Sequence, residues 1–283
     1  MFLLKKEKNG IKRGAQKKIK IIWFYYQLAL PLSPKNRLSM KIAIIGYGKM
    51  GHVIEQIALQ RGHTIVSTID IHNQDEFETN TFRSADVAIE FTMPSTAYHN
   101  FQRCFAAGVP VVSGTTGWTS RLEDIIRQCK EEGKTFFYAS NFSIGVNIFF
   151  ALNRYLAKLM NHFPAYDVNM TEIHHIHKLD APSGTAITLA EGILNEIDRK
   201  KEWRLKQEKD IYNPDELTIQ ALREDEVSGI HEIQYESEVD SLTIKHEAKS
   251  RAGFALGAVL AAEFTAGKKG FFQMSDLLKV SGL

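Results

Sequence analysis

From position 41 onward, short apolar runs rich in β-branched residues alternate with segments whose apolar residues recur at helical spacing. Lys41–Ile45 is the first run, and Lys49–Arg61 then places Met50, Val53, Ile54, Ile57 and Ala58 on one helical face. Thr64–Ile69, Val87–Phe91, Val109–Val112 and Thr135–Tyr138 repeat the strand pattern, with helices expected over Thr96–Ala107 and Ser120–Glu132. Parallel strands need a long crossover and a helix supplies it, so this alternation predicts an α/β, Rossmann-like, doubly wound parallel sheet.

After about Ser143 the rhythm changes. A long apolar helix (Val146 to Leu159) precedes a strand from Tyr166 into a histidine-rich stretch, then a helix from Ser183. Residues 217–222, 230–235 and 241–248 alternate as strands with one solvated face do, which predicts a mostly antiparallel sheet. Helical spacing returns at Ala252–Thr265 and Met274–Val280. The expected organisation is a dinucleotide-binding domain of residues 40–143 plus 252–283, with an inserted α+β substrate domain over 144–251.

The net charge of +2 conceals an asymmetry. Residues 1–39 hold ten of the 35 basic residues and only Glu7 of the 33 acidic ones, leaving 25 basic against 32 acidic residues in the remainder. An acidic body argues against nucleic acid as a partner. The basic leader and the apolar run Ile21–Leu32 imitate a targeting signal, but the run is shorter than the roughly 20 residues a membrane span needs. The leader is therefore expected to lie outside the fold, with Met40 as the true start. Cys104 and Cys129 sit in no paired spacing, so buried free thiols and a cytoplasmic setting are expected.

Candidate chemistry begins at Gly46-Tyr47-Gly48-Lys49-Met50-Gly51, a GxGxxG spacing at a strand-to-helix turn. The first glycine allows the turn, the second admits pyrophosphate to the backbone, and the third lets helix pack on strand. Phosphate would sit at the helix N-terminus. Asp70, at the end of the second strand, stands where an acid binds the ribose hydroxyls. Its charge opposes a 2′-phosphate, which favours NADH over NADPH, while His72 nearby softens the choice. Two further loops, Phe91-Thr92-Met93-Pro94-Ser95 and Gly114-Thr115-Thr116-Gly117-Trp118, follow strands where ligands of open α/β sheets bind.

The densest chemistry is Glu172 through Thr185. His174, His175, His177 and Lys178 offer protons and positive charge, and they run into Pro182-Ser183-Gly184-Thr185, a helix start with Ser183 as N-cap. Cations beside unpaired N–H groups suit a small dianion, and a histidine can protonate an intermediate near neutrality. Strand alternation would place His175 and His177 on one face and His174 on the other. A solvated strand and a metal site are the competing readings, and no second His/Cys cluster appears for the latter.

Taken together, GxGxMG, Glu90-Phe91-Thr92, Gly114-Thr115-Thr116-Gly117, Ala139-Ser140-Asn141-Phe142-Ser143, HHIHKLDAPSGTA and Lys249-Ser250-Arg251-Ala252-Gly253-Phe254-Ala255 resemble, in collinear order, the 4-hydroxy-tetrahydrodipicolinate (dihydrodipicolinate) reductases. The resemblance implies NAD(P)H-dependent reduction of a cyclic dicarboxylate in lysine and diaminopimelate synthesis. It implies His174 as general acid, Lys178 as second catalytic residue, and His175, Gly184 and Thr185 as substrate contacts. Cofactor contacts would be Gly46, Tyr47, Gly48, Lys49, Met50, Asp70, Gly114, Thr115, Thr116, Ala139, Ser140, Asn141 and Phe142. Family members are commonly homotetramers joined through the second sheet, and no membrane partner is implied. The glycine loop is one residue shorter here than in many of them. The alternatives are another amino-acid dehydrogenase on the same fold, which has no reason for HHIHK before SGT, and an NAD-binding protein without catalysis.

Overall fold

The computed structural model describes residues 39–207 and 211–279. The expectations for the leader, Ser39 apart, and for the end of the last helix at Val280 fall outside these residues.

β1 (Lys41–Ile45) buries Ile42, Ala43, Ile44 and Ile45 in succession, which demands cover on both faces. It pairs in parallel with β2 (Thr64–Ile69) and β3 (Val87–Glu90). β4 (Val111–Ser113), β5 (Thr135–Tyr138) and β11 (Gly270–Phe272) complete a six-stranded parallel sheet of order β2-β1-β3-β4-β5-β11. Alternate side chains feed two cores. Ile42, Ile44, Val87, Ile89 and Phe137 meet α1 (Lys49–Gln60) and α6 (Ala252–Thr265) on one face. Ala43, Ile45, Ala88, Val111 and Phe136 meet α2 (Pro94–Ala107) and α3 (Leu122–Glu131) on the other. Cys104 and Cys129 are buried there as free thiols. The fourth strand starts at Val111 rather than Val109, since Pro110 has no N–H to give a ladder. α2 starts at Pro94 rather than Thr96, with proline in the first turn where it costs no hydrogen bond.

The second sheet has the order β10 (Ser241–Glu247), β9 (Ile230–Glu236), β6 (Asp167–His174), β8 (Glu216–Arg223), β7 (Glu202–Leu205). The expectation of a mostly antiparallel sheet is corrected to a mixed one. β10–β9 and β9–β6 are antiparallel, whereas β6–β8 and β8–β7 are parallel. Side-chain alternation is the same for either direction, so only the connections decide it. Its inner face packs on α4 (Ile144–Met160) and α5 (Gly184–Leu194) through Phe149, Ala157, Met170, Leu189, Ile219 and Tyr235. Ser143 and Ser183 cap these helices, accepting from the N–H groups of Val146 (3.3 Å) and Ala186 (3.1 Å). The outer face carries Asn169, Thr171, Thr218, Gln220 and Gln234 around a cavity of about 490 Å³.

α7 (Met274–Leu278) ends the described chain. Among the described residues no helix is long and apolar enough to cross a membrane.

Candidate active site

Because all strands of the first sheet are parallel, the loops after β1 to β5 emerge at one edge. Gly46 there has φ +91°, and a Cβ on it would stand 2.0 Å from the Phe91 carbonyl oxygen. A Cβ on Gly51 would stand 2.4 Å from the Gly46 carbonyl oxygen, so α1 rests directly on the loop. No side chain caps α1, and its first N–H groups are free for a phosphate. Tyr47 is tied to Glu55, while Gly48 and Lys49 are exposed and Met50 is half-buried. Asp70 Oδ1 accepts from the Ile71 N–H at 2.8 Å, and the Asp70 N–H donates to Asn73 Oδ1 at 2.7 Å, holding the acid at the end of β2. This edge fits a dinucleotide.

Beneath it, Glu90 is fully buried and accepts hydroxyl bonds from Ser113 (2.6 Å), Thr115 (3.0 Å) and Thr92. Burial pushes its carboxyl above the usual range, opposed by those donors. Thr92 N–H reaches Thr115 Oγ1 at 2.8 Å, and Trp118 Nε1 reaches the Thr115 carbonyl at 2.7 Å. The loops after β3 and β4 are thus one unit, with Gly114 and exposed Thr116 at its surface. After β5, Ala139 and Phe142 are buried and Ser140 is exposed. Asn141 reaches out, its Nδ2 donating to Thr185 Oγ1 at 3.3 Å. That bond joins the cofactor edge to the start of α5.

β6 delivers the second half of the site. Val168, Met170, Glu172 and His174 share its buried face, and His174 is the last strand residue. The Glu172 carboxylate accepts the Ser183 N–H at 3.1 Å and lies 3.5 Å from His174 Nδ1, 3.5 Å from Arg223 Nη2 and 3.8 Å from His231 Nε2. Burial lowers the His174 pKa, Glu172 opposes that, and Lys178 and Arg223 add to it. Lys178 Nζ donates to both Asp180 oxygens at 2.7 and 2.8 Å. Arg223 staples this loop through the carbonyls of Lys178 (3.3 Å) and Asp180 (2.7 Å).

Alternation past His174, which would have put His175 and His177 on a common strand face, does not occur. Ile176 N–H turns to the Asp225 carbonyl and Lys178 N–H to that of His175, so the strand gives way to a turn. His177 goes outward to pair with Glu226 at 3.0 Å, with both side chains mostly exposed, and takes no part in the site. His175 is half-buried just beyond His174, with Gly184 exposed and Thr185 half-buried across the loop.

No pattern in the sequence assigns a role to Glu172, Arg223, His231 or Glu90. His231 had one signal, a histidine on the buried face of an alternating strand otherwise filled by Ile233 and Tyr235. Glu172, His174 and His231 bring ligand-type atoms within 4.8 Å of one another. The carboxylate already accepts the Ser183 N–H and faces Arg223, and His231 Nε2 is 3.1 Å from Ser183 Oγ.

Comparison with known proteins adds to this geometry. Residues 40–142 match the family described as dihydrodipicolinate reductase, N-terminus, and residues 145–278 match its C-terminus. A 4-hydroxy-tetrahydrodipicolinate reductase of Christiangramia forsetii is 49% identical over 241 residues, covering 84% of this chain and 98% of that protein. One from Neisseria meningitidis is 31% identical over 265 residues, covering 84% and 97%. The solved dihydrodipicolinate reductase of Paenisporosarcina sp. TG-14, with dipicolinate bound, superposes with a TM-score of 0.67 at 22% identity, covering 83% of this chain and 98% of that one.

Proposed function

The chain belongs to the dihydrodipicolinate reductase family, and from that premise we propose that it reduces 4-hydroxy-tetrahydrodipicolinate to tetrahydrodipicolinate with NAD(P)H in lysine and diaminopimelate synthesis. The observation that carries this reading is a junction. Thr185, at the helix start that would clasp a carboxylate, is hydrogen-bonded to Asn141 of the cofactor edge, and His174 Nδ1 stands 3.5 Å from Glu172, which holds the same helix start.

The cofactor supplies the hydride, and the rest of the chemistry belongs to the chain. The substrate takes one hydride and one proton and loses water. His174 supplies the proton to the ring as negative charge develops there. Lys178 supplies fixed positive charge after exchanging Asp180 for substrate. His175 and the N–H groups of Gly184 and Thr185 hold the carboxylates. Gly46 through Met50 hold the pyrophosphate, Asp70 the ribose, and the segments 114–116 and 139–142 the nicotinamide half. Residues 40–143 with 252–283 serve the cofactor, and 144–251 serve the substrate and assembly. A homotetramer joined through the outer face of the second sheet suits the polar, uncovered strands there. Buried free thiols suit a cytoplasmic enzyme.

Asp70 makes NADH the preferred donor by repelling a 2′-phosphate. The test is a coupled assay in which dihydrodipicolinate synthase makes substrate from pyruvate and aspartate semialdehyde. Turnover is expected with NADH ahead of NADPH, and Asp70→Ser should move the ratio of kcat/KM values toward NADPH by about tenfold. Absence of turnover in a protein that binds NADH would sink the activity. An unmoved ratio would remove Asp70 from cofactor selection.

A further inference from the structure

We propose that Glu172 is a positioning residue for the proton donor, holding His174 by Nδ1 so that Nε2 carries the transferable proton. The inference rests on the reading of His174 as the acid.

Glu172 has no exposed surface and sits two residues before His174 on the same face of β6, so the two side chains are strand neighbours. Its Oε2 is 3.5 Å from His174 Nδ1, a buried nitrogen with no hydrogen-bond partner. A gap of that size closes with a small ring rotation, and such bonds tighten when substrate binds. The opposite edge of the ring is kept clear by a backbone device. Gly229, at φ +146°, lies beside it, and a Cβ there would stand 3.2 Å from Nε2 and 3.4 Å from Cδ2. The ring is therefore held on one side and left open on the other.

The charges facing His174 come from four elements. Glu172 lies on its own strand, Lys178 and Asp180 on the following loop, Arg223 on β8 and His231 on β9. His231 adds no cation, because burial pushes its pKa down to about 3, and its Nε2 is 3.1 Å from Ser183 Oγ. Of the groups that favour the protonated ring, Glu172 acts most strongly, against burial, Lys178 and Arg223. When imidazolium gives up the Nε2 proton, the neutral ring keeps its Nδ1–H toward Glu172, and solvent reloads Nε2. The same carboxylate holds the Ser183 N–H, so the proton donor and the carboxylate clasp share one anchor.

The full chain carrying ¹⁵N-histidine gives the tautomer directly. Neutral His174 is expected as the Nδ1–H form, and the Nε2–H form would overturn the proposal. In steady-state profiles with saturating cofactor, Glu172→Gln should move the alkaline limb of kcat to lower pH by about one unit. It should cut kcat near pH 7.5 by about tenfold or more and leave NADH affinity unchanged. A profile that superimposes on that of the unmutated enzyme after scaling would reduce Glu172 to packing. If Glu172→Gln does not fold, the tautomer decides alone. Retained turnover in His174→Gln would bring down the acid assignment itself. Lost turnover there with an unmoved Glu172→Gln profile would bring down only this inference.

Discussion

His174→Gln and Lys178→Ala will each lower turnover by about 10²- to 10⁴-fold while NADH still binds. Glutamine keeps much of the volume of the nearly buried imidazole at the end of β6, but it has no proton to give at neutral pH. Alanine at position 178 removes the cation that Asp180 holds at 2.7 Å. That loss should weaken substrate binding as well as chemistry, so KM rises with Lys178→Ala more than with His174→Gln. Cofactor affinity is expected to survive both, because the dinucleotide edge belongs to the first sheet and meets the helix start at the Asn141–Thr185 bond. Steady-state kinetics and quenching of protein fluorescence by NADH separate the effects. If either variant keeps normal kcat, that residue is not part of the chemistry.

Gly46→Ala is expected to be among the most damaging single-methyl changes in the cofactor half. The left-handed backbone costs a side chain about 1–2 kcal/mol, and a Cβ 2.0 Å from the Phe91 carbonyl oxygen cannot be accommodated without moving a loop. Overpacking of this kind costs about 1–3 kcal/mol more. A combined penalty near 3 kcal/mol corresponds to a fall in Tm of roughly 6–12 °C for a domain of this size. Because the glycine loop is also the one proposed to hold the pyrophosphate, NADH affinity should fall at least about tenfold. A calorimetric scan with an NADH titration would show both, and an unchanged Tm would mean that the loop yields freely.

The central strands were legible because Ile42 through Ile45 are apolar at four successive positions, a pattern that only a doubly covered strand requires. The glycine turn and the HHIHK–SGT run were legible because their chemistry is contiguous in sequence. What escaped was whatever depends on chain direction or on partners far along the chain. Alternation in β8 could not say that it runs parallel to β6. The edge strand β7, only four residues with Glu202 and Arg204 among them, was not among the strands predicted. The surroundings of His174 come from Arg223 on β8, His231 on β9 and Gly229 just before β9, and no spacing rule connects them to it. Extending the strand past His174 failed because turn hydrogen bonds to Asp225 and His175 compete with the ladder there.

α6 is buried on nearly every side, packing on α1 and beneath β3, β4 and β5. The first-sheet strands that precede α4 therefore lack part of their core until α6 has been made. The segment from α4 to β10 is continuous in sequence and carries its own apolar cluster, so it can consolidate while the ribosome is still at work. Maturation of the cofactor half then waits for α6, slowed by the long loop that joins α1 to α6. Truncation before Ala252 would strand the nucleotide-binding edge with an open apolar face, making it a target for chaperones and proteases.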